Sequence, residues 1–238
     1  MDTSISNPKR VFRIAVICSV FFSFLQFLIY YICVGFLYDN VFVLMAAPHL
    51  VNFLEALFPV FSAVIVFLIK DTGLKNKLLP LALISLPRIL YTFPYYYIRY
   101  VTDVFNTAEA LVIALILSVV YLLFFFLQTF VCTFIMNYAE FKSAPKNISR
   151  TPARIFNFDN SVNFGILLSV IFMFVIFFAR ECVDTVTYFV EVGSTYYLNE
   201  IMSIILSYAM LPIFAFIHYL ICVLLKNRIT REKETKED

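Results

Sequence analysis

The chain has 238 residues, 62% of them hydrophobic and only 14% charged, with 29 Phe, 15 Tyr and a formal net charge of +2. A soluble domain of this length carries about a quarter of its residues as charges, so the composition excludes an ordinary soluble globule. The five cysteines (Cys18, Cys33, Cys132, Cys182 and Cys222) have no Cys-x-x-Cys spacing and fall mostly in apolar runs, which excludes a disulfide or metal framework.

Charge-free apolar runs cover 14–38, 110–139 and 201–225. Each exceeds the roughly 20 residues needed to cross hydrocarbon. The expected fold is an all-α integral membrane protein, six transmembrane helices arranged as three hairpins in one polytopic domain, 1–238.

Span 1 is expected over about 11–37. Its apolar run is twice the length of a signal-peptide core and no small-residue cleavage site follows it, so it reads as an uncleaved span. An outward loop at 38–49 leads to span 2, about 50–69, and Lys70–Lys77 reads as a turn. Span 3, about 78–98, contains Pro80, Pro87 and Pro94 at intervals of seven. Three prolines nearly in register predict kinks and freed backbone carbonyls on one side. Span 4, about 107–136, is long enough to tilt or project. The polar segment 140–163 forms the longest connection. Span 5, about 164–179, and span 6, about 200–225, precede a mixed-charge tail, 226–238, expected as solvated, frayed helix.

Orientation follows from the cations. Of the 18 Lys and Arg, 15 fall on the faces joined by an even number of spans; Arg88, Arg99 and Arg180 are the exceptions. The positive-inside rule places both termini in the cytoplasm of a cell membrane. The same distribution gives no patch for nucleic acid. The Asn147-Ile148-Ser149 sequon then lies on the cytoplasmic side and is expected unmodified. Acidic residues gather on the other face as Asp39 with Asn52 and Glu55, Asp103 with Asn106 and Glu109, and Asp184 with Asn199 and Glu200. Asn N-caps with an acid in the first turn account for the pattern through the helix dipole; an old hairpin duplication is the sharper alternative.

Polar residues inside the spans fall on faces. Ser85, Arg88, Thr92, Tyr95 and Arg99 step by three or four along span 3. Ser19, Ser23, Gln26 and Tyr30 do so in span 1, Asn52, Glu55, Pro59 and Ser62 in span 2, and Glu200, Ser203, Ser207 and His218 in span 6. Such faces belong inside a bundle, although Ser and Thr there also serve as small packing residues. The Tyr95–Tyr97 block reads as an interfacial anchor.

Arg88 stands apart. An arginine at a helix centre costs roughly 2.5–3.5 kcal/mol on insertion scales, and its depth makes snorkelling difficult. It requires a carboxylate, backbone carbonyls or water. Glu55 is the first candidate partner and Glu109 the second, within a buried polar network of Arg88, Glu55, Gln26, Glu109 and His218. No catalytic, cofactor-binding or metal constellation assembles: two histidines are too few for His-box iron chemistry, and no cluster has zinc spacing. The expected partners are the lipid bilayer and either another protein or a second copy of the chain. The function this points to is non-enzymatic interaction or assembly, with a small permease or channel as the alternative. Only four glycines, for which many transporters have greater use, weigh against the latter.

Overall fold

The computed structural model describes residues 8–35, 41–69, 77–103, 107–142, 160–192 and 198–237, and these are almost wholly helical. Among the described residues seven α-helices follow in order: α1 Pro8–Gly35, α2 Val41–Ile69, α3 Leu78–Ser85, α4 Ile89–Asp103, α5 Thr107–Lys142, α6 Ser161–Val192 and α7 Leu198–Glu237. A 3₁₀ turn, Leu86–Arg88, joins α3 to α4. Among the described residues five stretches are long and apolar enough to cross a membrane: Leu50–Leu68, Leu78–Ile98, Thr107–Lys142, Ser161–Thr187 and Ile204–Arg228. A sixth, Val16–Ile32, is shorter. The expected loop residues Asp39, Asn106 and Asn147–Ser149 lie outside the described residues.

The helices overrun the expected spans because a span ends where charge begins, whereas a helix ends where backbone hydrogen bonding stops. Helix α2 already starts at Val41, so Asn52 and Glu55 lie well inside it, not at its cap. Asn199 is the second residue of α7, again not a cap. Helix α6 continues through Arg180 and Glu181 to Val192, and α7 runs on to Glu237. The connection 140–163 shrinks from both ends, since α5 reaches Lys142 and α6 begins at Ser161. At 36 residues, α5 is about 54 Å long.

Two compact units divide the chain, Met1–Asn137 and Tyr138–Asp238. In the first, α1 packs on α2, with Phe22 against Phe58 and Phe61 at ring separations of 5.7 and 6.0 Å. It also runs alongside the α3–α4 segment, as the Ser19–Ile84 hydrogen bond and the Tyr30–Tyr95 ring contact at 4.7 Å require. The core is richest on α2, where Phe58, Ala63, Val64 and Phe67 are fully enclosed. In the second unit, α6 and α7 form an antiparallel pair. Thr185 and Tyr208 share a hydrogen bond of 3.1 Å, and further along the same seam the rings of Phe174 and His218 meet edge to face.

Polar residues turn inward and apolar ones outward in both units. Ser19, Ser23, Gln26, Ser62, Ser85, Arg88 and Thr92 are buried, while Leu115, Ile116, Val119, Leu123, Val175 and Phe216 are exposed. The Tyr block has a further role. Tyr95 and Tyr96 are half-buried, and Tyr95 packs on Tyr30 and Tyr91, so it ties α4 to α1 from the middle of α4.

Candidate functional site

The break between α3 and α4 places Arg88. Pro87 has no N–H to give, and the Ile89 N–H bonds to the Leu86 carbonyl, tightening the chain into a 3₁₀ turn. Pro80 sits in the first turn of α3, where a missing N–H costs little. The Ile84 carbonyl at this break accepts the Ser19 hydroxyl at 2.7 Å, so α1 is pinned to the turn.

Arg88 is completely enclosed, with 0% of its surface exposed. Its Nη1 donates to Gln26 Oε1 at 2.6 Å and its Nη2 to the Tyr121 hydroxyl at 3.3 Å. Tyr121 in turn donates to Glu55 Oε1 at 2.8 Å. The rings of Phe125, Phe58 and Tyr91 flank the guanidinium, with centroids 5.1, 5.5 and 5.6 Å from Cζ. These distances are within cation–π range, where a desolvated contact contributes up to about 2 kcal/mol. Side chains from α1, α2, α4 and α5 thus meet on one residue of the 3₁₀ turn.

The expected network is therefore reorganised. Gln26, Glu55 and Arg88 come together, but Glu55 reaches Arg88 through Tyr121. The acceptors of the guanidinium are side chains, not backbone carbonyls freed by proline. Glu109 is exposed in the first turn of α5; twelve residues separate it from Tyr121, about 18 Å along the helix. His218 belongs to the second unit, where its Nδ1 contacts the Phe214 carbonyl and its ring abuts Phe174.

Sequence reasoning missed Tyr121. A signal existed: Ser118, Tyr121, Thr129, Thr133 and Asn137 recur at three, four or eight residues and so share a face of α5. Ser118, Thr129 and Thr133 are buried, and these three together with Asn137 each give a hydrogen to the carbonyl four residues before it.

Two buried lysines were also missed. Lys77, expected in a turn, precedes α3 with 2% exposure. Its Nζ donates to Asn137 Oδ1 at 2.8 Å and stands 4.6 Å from the Phe67 ring centre. Lys226, expected in a solvated tail, is fully buried and donates to Asn163 Oδ1 at 3.1 Å and Asn160 Oδ1 at 3.4 Å. Asn160 also caps α6, its Oδ1 accepting the Val162 and Asn163 N–H groups. One amide oxygen thereby serves a helix end and an ammonium together.

Among the described residues, no group of three or more His, Cys, Asp or Glu side chains is placed to hold a metal ion. No protein-family model, curated protein or solved structure matches the chain.

Proposed function

We propose that this chain is a six-span membrane protein with both termini in the cytoplasm, serving as a non-enzymatic interaction or assembly component. The observation carrying this reading is the closed state of the Arg88 centre. The guanidinium bridges α1, α2 and α5 to the 3₁₀ turn, is walled by three aromatic rings and has no exposed surface. A group enclosed in this way holds helices together and does not meet a substrate. The outer acidic residues and the basic connection between α5 and α6 are the docking surfaces in this reading.

Purification from the native membrane, with the composition read by mass, tests it. A discrete stoichiometric complex supports an assembly role, and a lone chain that moves solute in vesicles overturns it. A C-terminal reporter active only outside the cytoplasm should stay silent; activity there would refute the orientation.

The permease alternative rests on one observation, the break of the third apolar stretch into a 3₁₀ turn at Arg88. Interrupted helices form the binding sites of many transporters. Solute uptake that is lost in Arg88→Gln while the protein still folds would favour it.

A further inference from the structure

Helix α6 is longer than a bilayer needs. Its N-terminal end is fixed by the Asn160 cap and by Lys226, buried against Asn163. Arg180, the first charge on the helix, stands nineteen residues from Ser161, about 28 Å along the axis. That distance already matches the roughly 30 Å of hydrocarbon in a bilayer. Glu181, Asp184 and Glu191 follow, and the helix continues among them to Val192.

Three valines in this charged stretch stand open. Val183, Val186 and Val190 are 63%, 62% and 77% exposed. They lie about 5–15 Å beyond Arg180, where lipid tails no longer reach. Exposed Val175 and Ala179 continue the line back into the membrane. Steps of four, four, three and four residues put all five on one face. The last four have the alternating spacing of a coiled-coil seam, and none of the four charges falls on it. The seam is also built of small side chains. Exposed residues of α5 include Leu111, Leu115, Leu123, Phe124 and Phe134, which suit lipid, whereas alanine and valine let two helix backbones approach closely.

A second copy of the chain fits this face. Copies in one membrane are inserted in the same sense, so two α6 helices meet in parallel, as such a seam requires. A two-fold contact sets each residue beside its own image; like charges would repel there, and the seam carries none. The five residues leave about 450 Å² uncovered per copy, or roughly 900 Å² for two, at the small end of specific contacts. Confinement to one plane and one orientation raises the effective concentration of the copies and offsets that small area.

We propose that two copies of this chain associate through the C-terminal half of α6, along Ala179, Val183, Val186 and Val190. The inference rests on the assembly reading above and names one partner within it.

Oxidative cross-linking of the full chain in membranes tests the contact, with the natural cysteines in place and the unaltered protein as background. Val183→Cys and Val186→Cys should each give a product of twice the monomer mass. Its yield should be roughly fivefold that of Val112→Cys, which is 54% exposed on α5 but off the seam. Counting copies by single-molecule bleaching in the membrane should give two for the unaltered protein and one for Val186→Glu. Yields no higher than that of Val112→Cys, a product of another mass, or a single copy of the unaltered protein would each overturn the proposal. A native complex holding one copy beside other subunits would sink this inference and leave the assembly reading standing; a chain with no protein partner would sink both.

Discussion

The Arg88 centre of the first unit and the Lys226 centre of the second solve one problem in two ways. Both bury a cation completely, and both meet its protons with side-chain amide oxygens, Gln26 for Arg88 and Asn160 with Asn163 for Lys226. The difference lies in what surrounds the amides. Arg88 has a planar fork that reaches two partners at once, three ring faces, and a carboxylate held one hydroxyl away. Lys226 is a point charge beside the start of α6, held by Asn163 and by Asn160, which also caps that helix. Lys77 with Asn137 repeats the lysine solution inside the first unit. A guanidinium joins several helices because its donors diverge in fixed directions, whereas an ammonium clamps one helix end to one neighbour.

The contrast can be broken experimentally, beginning at its strongest point. Arg88→Met should destabilise the protein by about 3–5 kcal/mol, since it removes one partner of a buried charged network and leaves the others unmet. Chemical denaturation in detergent measures this, and a loss below about 1 kcal/mol would mean that Arg88 is not the tie described here. Tyr121→Phe keeps the ring but removes the hydroxyl between Arg88 and Glu55; the expected loss is about 1–3 kcal/mol. A double-mutant cycle with Glu55→Gln should show coupling, and strict additivity would sever Glu55 from the centre.

In the second unit the effects should be smaller. Asn160→Ala removes the cap of α6 and an acceptor of Lys226, for an expected loss of about 1–2 kcal/mol. Faster hydrogen exchange confined to the first turns of α6 would be its signature. Lys226→Met retains most of the buried stem and removes the charge, so the change should be within about 1 kcal/mol. A larger loss for Lys226→Met than for Arg88→Met would reverse the comparison.

Much of the candidate site was legible in the chain. An arginine ten residues into an apolar run had to find internal partners, and the three- and four-residue steps put Gln26 and Glu55 on inward faces. Tyr121 escaped notice because a tyrosine in a helix rich in Phe and Leu resembles an aromatic packing residue. Its hydroxyl acquires meaning only when α2 and the 3₁₀ turn bring Glu55 and Arg88 to its two sides. Lys77 and Lys226 were misjudged for a related reason. Lysines next to an apolar run ordinarily stand in water or headgroups, and only a partner some 60 residues away in sequence changes that.

The amino-acid sequence by itself determined the helices, their apolar exteriors and the inward turn of the polar faces, because hydrophobic periodicity and the absence of breakers are local properties. The break at Pro87 was local too. Tertiary structure alone decided which inward groups meet: Gln26 and Tyr121 as the acceptors of Arg88, Glu55 one hydroxyl removed, and asparagines around two lysines. Hydrogen bonds depend on angstrom-scale separations between side chains of different helices, and those separations follow from how the helices pack, which no single stretch of the chain encodes.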